Sequence, residues 1–127
     1  MKTLPPDTAV IIIDHGSRHA AANDMLFDMV SQYKAVTGIE MVEGAHMELA
    51  KPTLEDAVRA CISLGAARIV VHPYFLAPGR HSTHDIPAMV VKVASEFPTI
   101  QFHVSEPLGV APKIAEVMQQ RILAALA

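Results

Sequence analysis

The sequence is poor in cysteine and in aromatic residues. Among its 127 residues there is one cysteine, Cys61, no tryptophan, and only 5% aromatic residues. A single cysteine excludes an intrachain disulfide and any metal site built from several thiolates. This usage is typical of a reducing compartment. The apolar fraction is nevertheless 51%, so we expect a globular chain with a core of aliphatic side chains and methionine.

Long apolar runs and a surplus of basic residues are also missing. The longest apolar stretches are far too short to cross a bilayer, and residues 1–6 lack the apolar segment of a secretory signal. We therefore expect a cytoplasmic protein without a membrane partner. The net charge of -3 argues against a nucleic-acid partner, which would require a basic face. Any anionic ligand must be held by local groups.

Several familiar catalytic motifs do not occur. The sequence contains neither a Gly-x-Gly-x-x-Gly turn after a strand nor a Walker A loop, which argues against the common nucleotide-binding sites. It also lacks the Gly-x-Ser-x-Gly elbow of the α/β-hydrolases. Function must therefore be sought in other residue patterns.

Apolar, β-branched runs alternate with segments of helical periodicity. The runs occur at residues 9–13, 39–47, 68–75 and 100–104, and a helical segment follows each of them. This order predicts an α/β fold: one domain over residues 1–127, with a four-stranded parallel sheet and helices on both faces. The expected strand order is 2-1-3-4, with a switch point between strands one and three.

The helices carry recognisable boundaries. Gly38 is expected to stop the first helix, and Thr53 to cap the second, whose apolar stripe places Cys61 in the core. The third helix should begin within residues 81–87 and run to about Phe97, ahead of Pro98. The last helix should begin at Pro112 with an apolar stripe at Ile114, Val117, Met118, Ile122 and Leu126.

Polar residues gather where the predicted strands end. Ligands of such sheets bind beyond the carboxyl ends of the strands. Strands two, one and three should be neighbours, so we expect their loops to meet along one edge. The residues in question are His15, Gly16, Ser17 and Arg18 after strand one; His46, Glu48 and Lys51 after strand two; Tyr74, Arg80, His81, Ser82, Thr83 and His84 after strand three; and Glu106 after strand four.

Seven histidines are many for a chain of this length. Two histidines and a carboxylate make an open site for a divalent first-row metal. We favour His15 and His81 as ligands. Glu48 is equally compatible with a functional role and with pairing to Lys51 or capping the second helix. His84 would form a His-x-x-His pair with His81, which is weak evidence by itself.

The other histidines have simpler interpretations. His46 is compatible with a half-buried structural residue, and His72, inside an apolar strand, is also interpreted as structural. His19 and His103 fit surface positions. Composition and spacing alone therefore lead to an α/β protein with a candidate His-rich metal site.

Three segments resemble one known family. Residues 14–18 (DHGSR), 45–53 (AHMELAKPT) and 75–87 (FLAPGRHSTHDIP) are similar to the small sirohydrochlorin chelatases, and residues 106–109 (EPLG) also fit. The family includes cobaltochelatases of cobalamin synthesis and ferrochelatases of sirohaem synthesis. The residues of these segments are especially similar to those of the plant-type ferrochelatases. This sequence lacks the extra cysteines those proteins carry for an iron–sulfur cluster, so we expect no cluster.

The resemblance implies a class II chelatase fold and ATP-independent insertion of Fe²⁺ or Co²⁺ into sirohydrochlorin. Ni²⁺ is the alternative ion, and a non-catalytic tetrapyrrole or metal carrier is the alternative function. The metal is a substrate, and no permanently bound cofactor is expected. The resemblance also implies a homodimer, because larger relatives hold two such halves in one chain. It carries metal binding and catalysis onto His15, Glu48 and His81.

A substrate rich in carboxylates requires cationic and hydroxyl partners near that metal. Arg18 and Arg80 are either plain solvated charges or carboxylate ligands, and beside an expected anion site we favour the second interpretation. The hydroxyl groups of Ser17, Ser82 and Thr83 complete the predicted substrate-binding set.

Overall fold

The computed structural model describes residues 3–127, with the side chains of His81 and Ser82 outside that description. The predicted alternation of strands and helices is confirmed. The elements are β1 (Thr8–Asp14), α1 (Ala20–Thr37), β2 (Val42–His46), α2 (Leu54–Ser63), β3 (Arg68–Pro73), a π-helical turn (His81–Asp85), α3 (Ile86–Ala94), β4 (Gln101–Val104) and α4 (Pro112–Ala125).

The third helix is shorter than the sequence predicts. It ends at Ala94 rather than near Phe97. The residue before a proline is disfavoured in the α conformation, and Pro98 follows Phe97 directly. The Phe97 N–H donates to the Ala94 carbonyl at 3.1 Å in a closing turn.

The four strands form one parallel sheet in the order β2-β1-β3-β4, as predicted. In the register of β1 with β2, Asp14 lies opposite His46, and in its register with β3, Ile13 lies opposite Pro73. The carboxyl ends of the three strands therefore coincide at one edge of the sheet. The crossing from β1 to its two neighbours creates the switch point at which α/β sheets bind ligands.

Alternate residues of β1 face two separate apolar clusters. Ile11 and Ile13 belong to the cluster that also contains Val58 and Cys61 of α2. Val10 and Ile12 belong to the cluster that α1 covers with Leu26 and Val30. Helices thus lie on both faces, as expected. Burial raises the pKa of the Cys61 thiol to about 12, which agrees with its predicted place in the core.

Local sequence signals determine where α1 and α2 begin and end. Gly38 ends α1 with φ +74°, and its N–H donates to the Lys34 carbonyl at 2.8 Å. Thr53 caps α2: its hydroxyl accepts the Asp56 N–H, while the Asp56 carboxylate accepts the Thr53 N–H. Hydrogen bonds from the Thr53 backbone N–H and from its side chain to the Asp56 carboxyl lower the pKa of that carboxyl.

The last helix forms where predicted, but its apolar stripe is not buried. None of its residues is buried, and Met118 and Ile122 are 58% and 54% exposed. On the sheet, Val70 and His72 of β3 border an apolar cavity of about 380 Å³. Among the described residues, α4 thus has an exposed apolar stripe, and the sheet has an open apolar face. No helix within residues 3–127 is long and apolar enough to cross a bilayer.

Candidate functional site

The loop after β1 comes so close to the loop after β2 that only glycine fits at residue 16. Gly16 has φ +86°, and a Cβ built there would lie 1.9 Å from the backbone oxygen of Glu48. A positive φ disfavours other residues, and the contact excludes a side chain. Gly16 therefore allows the two loops to touch through their backbones.

Backbone hydrogen bonds hold these two loops together. The Met47 N–H donates to the Asp14 carbonyl at 2.9 Å, and the Glu48 N–H donates to the His15 carbonyl at 3.1 Å. The side chains of His15 and Glu48 are both exposed. The backbones of His15 and Glu48, two of the three predicted metal-binding residues, are thus neighbours joined by a hydrogen bond.

The loop after β3 completes the edge on the other side of β1. The Tyr74 N–H donates to the Ile13 carbonyl at 2.7 Å. The Phe75 ring packs against the His15 imidazole, with ring centres 4.3 Å apart. The loop after β4 supports this segment, because the Leu108 N–H donates to the Phe75 carbonyl at 2.9 Å.

A cavity of about 300 Å³ opens between the end of β1 and the start of α1. Its walls combine polar loop atoms with apolar and aromatic side chains. They are Asp14, His15, Gly16, Ser17, Ala22, Asn23, Met25, Leu26, Tyr74 and Phe75. A flat, partly apolar ligand with polar edges suits such walls.

The start of α1 is fixed by a Ser17–Asn23 contact. The Ser17 N–H donates to Asn23 Oδ1 at 2.9 Å, and Asn23 Nδ2 donates back to the Ser17 carbonyl at 2.8 Å. The Ser17 hydroxyl accepts the His19 N–H at 3.0 Å, so its own hydrogen can still be donated. Arg18 is exposed beside it.

A second, larger cavity lies at the π-helical turn after β3. Its volume is about 580 Å³, and Arg80, Thr83, His84 and Asp85 line it. The Thr83 hydroxyl donates to the Gly79 carbonyl at 2.7 Å, which leaves its oxygen as an acceptor. Arg80 is exposed. The predicted roles of His81 and Ser82 concern side chains that lie outside the described residues.

Asp14 and His46 form a pair that the sequence analysis did not foresee. His46, expected to be half-buried, is 0% exposed, and its Nδ1 lies 2.6 Å from Asp14 Oδ1. The same oxygen accepts the Gly16 N–H at 3.0 Å. Apolar patterning does not signal such a pair. The pair depends on the register of β1 with β2, in which Asp14 lies opposite His46.

The remaining histidines agree with the sequence analysis. His72 is half-buried, and its Nδ1 lies 2.8 Å from the hydroxyl of Ser105, the residue after β4. Burial lowers the pKa of this imidazole. His19 and His103 are exposed.

The described side chains do not by themselves make a complete metal site. No three His, Cys, Asp or Glu side chains of the described set lie close enough together to hold an ion. The structure brings the His15 and Glu48 loops into contact and places Arg80 and Thr83 on the third loop. The predicted ligand set of His15, Glu48 and His81 includes one side chain, that of His81, which lies outside the described residues.

Comparison with known proteins identifies the family. The family model described as CbiX matches residues 9–125. The chain belongs to the CbiX family. It is 45% identical over 113 residues to "Sirohydrochlorin ferrochelatase, chloroplastic" of Arabidopsis thaliana, a match that covers 89% of this chain and 50% of that protein. The resemblance in the three sequence segments is thereby confirmed.

Two further CbiX relatives bear on fold and length. "Sirohydrochlorin cobaltochelatase" of Methanopyrus kandleri is 32% identical, covering 93% of this chain and 96% of that protein. The crystal structure of the sirohydrochlorin chelatase SirB from Bacillus subtilis in complex with cobalt is 29% identical with a TM-score of 0.85. That match covers 92% of this chain and 50% of SirB. The chelatase fold is thus confirmed, and this chain spans about half the length of the Arabidopsis and Bacillus proteins.

Proposed function

We propose that this chain is a chelatase that inserts Fe²⁺ or Co²⁺ into sirohydrochlorin without ATP. The names of the relatives support the substrate and the two ions. The observation that carries the proposal is the tight contact of the β1 and β2 loops, in which Gly16 meets the Glu48 backbone. Because of this contact, the backbones of His15 and Glu48 lie side by side at the edge of the sheet where such folds bind ligands.

The proposed chemistry follows from what metal insertion requires. The macrocycle must lose two pyrrole protons while the incoming ion loses bound water. In the proposal, neutral imidazoles of His15 and His81 hold the ion at the ring face, and Glu48 contributes a carboxylate oxygen. Glu48 or one histidine accepts the protons as general base. Open coordination positions of the ion then pass to the ring nitrogens.

The proposed ring site uses both cavities. The smaller one, beside His15 and Phe75, offers apolar and aromatic surface to the macrocycle. Arg18 follows β1 and Arg80 follows β3, and both are exposed. In the proposal their guanidinium groups bind carboxylates of the ring periphery. The hydroxyl groups of Ser17, Ser82 and Thr83 supply additional donors and acceptors in this proposal.

We also infer that one domain spanning residues 1–127 assembles as a homodimer. An unpartnered apolar α4 and an open apolar face bordered by Val70 and His72 are complementary surfaces on one chain. In the proposed dimer, α4 of each copy covers the open face of the other, which gives the self-complementary contact of a two-fold interface. The Bacillus relative, twice this length, provides the alternative that a second domain in one chain covers such a face.

No permanently bound cofactor is part of the proposal, and the metal enters as a substrate. One cysteine cannot hold an iron–sulfur cluster by itself. A cytoplasmic location stays a prediction, since the Arabidopsis relative is named as chloroplastic. Fractionation of the source cells, with detection of this chain, tests the compartment.

An anaerobic metalation assay tests the proposed function and separates it from a carrier. Sirohydrochlorin and Fe²⁺, Co²⁺ or Ni²⁺ are mixed with a small amount of protein, and the spectrum of the metallated ring is followed. A chelatase produces many equivalents of product for each protein chain. A carrier produces a spectral change that stops at about one equivalent, without acceleration over the free ions. The ion with the highest kcat/KM identifies the preferred metal.

A further inference from the structure

Asp14 and His46 are the last residues of the adjacent strands β1 and β2. They are direct partners in the parallel register of β1 and β2. His46 Nδ1 lies 2.6 Å from Asp14 Oδ1, which is a short hydrogen-bond distance. His46 is fully buried, and the Phe27 ring meets it edge-on at 5.8 Å. His46 is therefore anchored in the core, while the Asp14 side chain is 22% exposed.

The same carboxylate oxygen reaches into the loop that carries His15. Asp14 Oδ1 accepts the Gly16 N–H at 3.0 Å. Gly16 in turn meets the Glu48 backbone, and the Glu48 N–H donates to the His15 carbonyl. The carboxylate thus connects an imidazole anchored in the core to both loops of the proposed metal site.

A histidine at position 46 is unfavourable for stability if the residue only fills space. With Nδ1 committed to Asp14, its Nε2 is buried without a hydrogen-bond partner among the described residues. A buried polar atom without a partner destabilises a fold, and a phenylalanine ring would occupy similar space without that cost. A local choice that lowers stability is expected where a residue serves function.

We propose that the Asp14–His46 hydrogen bond has a positioning role. It holds the His15–Gly16 loop against the Glu48 loop, so that the backbones that carry the two metal-binding side chains stay at a fixed separation. Neither residue touches the ion in this proposal. His46 orients Asp14, Asp14 holds the Gly16 amide, and the amide fixes the backbone on either side of it. The inference rests on the proposed chelatase function and concerns the same site.

Two pairs of variants separate positioning from simple packing. His46→Phe fills the space but loses the Nδ1 hydrogen, whereas His46→Asn retains an amide hydrogen near the same position. Asp14→Ala removes the bond from its partly exposed side, and Asp14→Asn retains an oxygen for both hydrogens. His103→Phe is the control, because it replaces an exposed histidine of β4 that belongs to neither of the two loops.

The readouts are the anaerobic Co²⁺ metalation rate and thermal unfolding. Displacing residues that orient metal ligands costs about 10- to 100-fold in activity or metal affinity, and we expect that loss of kcat in His46→Phe and Asp14→Ala. The KM for sirohydrochlorin should change by no more than about twofold in His46→Phe, because His46 is not part of the cavity proposed for the ring. His46→Asn and Asp14→Asn should recover most of the kcat. His103→Phe should behave like the unmodified chain.

Other results overturn the inference. It is wrong if folded His46→Phe and Asp14→Ala retain the unmodified kcat, or if the amide variants are as slow as the variants they should rescue. If His46→Phe does not fold, the Asp14 pair alone decides. If the unmodified chain fails to metallate the ring, the proposed function fails. The inference is then judged by Co²⁺ absorption, where Asp14→Ala should bind about tenfold more weakly than Asp14→Asn. Absence of Co²⁺ binding by the unmodified chain also overturns it.

Discussion

At the scale of single residues, Gly16 determines how closely the two loops of the proposed site approach each other. Its backbone has φ +86°, and the space where a Cβ would stand is taken by the Glu48 carbonyl. Other glycines share the first property without the second. Gly38 has φ +74°, but nothing lies within 4 Å of its missing Cβ. The two positions therefore separate backbone strain from loop contact.

Replacing Gly16 with alanine should lower kcat for metalation by at least about tenfold, because the loops that carry His15 and Glu48 must move apart. Gly38→Ala introduces a similar backbone strain far from the loops and should retain the unmodified kcat. Steady-state metalation and thermal unfolding of both variants provide the measurement. Equal activity of the two variants would contradict the role assigned to the loop contact.

His72 provides a pH-dependent contribution to stability. Burial lowers its pKa below the usual 6.5. Above that pH the imidazole is neutral in both folded and unfolded chains and adds no pH dependence. Below it, the unfolded chain binds a proton that the folded chain binds less readily, so stability falls as the pH falls.

Urea unfolding of the unmodified chain and of His72→Phe, compared between about pH 7 and pH 5, measures this contribution. The free energy of unfolding should decrease more steeply toward acid pH in the unmodified chain. The other histidines are present in both proteins, so only the difference between the two curves is informative. Parallel curves would show that His72 is protonated equally well in both states.

At the scale of elements, the sequence pattern predicted those strands and helix ends that depend on residues close together in the chain. The continuous run of apolar residues gave β1 its place in the centre of a parallel sheet, and Thr53 and Gly38 marked helix ends through local hydrogen bonds and φ. The Asp14–His46 pair was missed because it depends on register between strands. The partner of α4 was also beyond the pattern, since periodicity shows that a helix has an apolar face and not what covers it.

The capping of α2 by Thr53 makes a separate prediction. Thr53→Ala removes the hydroxyl that accepts the Asp56 N–H at 3.2 Å. Loss of such a cap costs about 1 kcal/mol in the free energy of unfolding. Thr53→Ser, which retains a hydroxyl, serves as the control and should recover most of that loss. Urea titration gives the values, and an alanine variant as stable as the unmodified chain would show that the cap contributes little.

At the scale of the whole molecule, the open face and α4 predict association. Static light scattering at micromolar concentration should give twice the chain mass. Ile122→Lys, which places a charge on the unpartnered stripe of α4, should shift the protein toward the monomer. Val91→Lys is the matched control, because Val91 is 72% exposed on α3 and lies outside that stripe. A monomeric unmodified chain with full metalation activity would rule out the proposed dimer.

The central claim is that His15 and His81 hold the incoming metal for insertion into sirohydrochlorin. Its most direct test is the anaerobic metalation rate of the double variant His15→Ala, His81→Ala, with His103→Ala as an exposed histidine control. The account predicts that the double variant folds and that its rate falls to that of the ring and ion without protein, while the control keeps the unmodified rate. Metalation by the folded double variant at the unmodified rate would contradict the account.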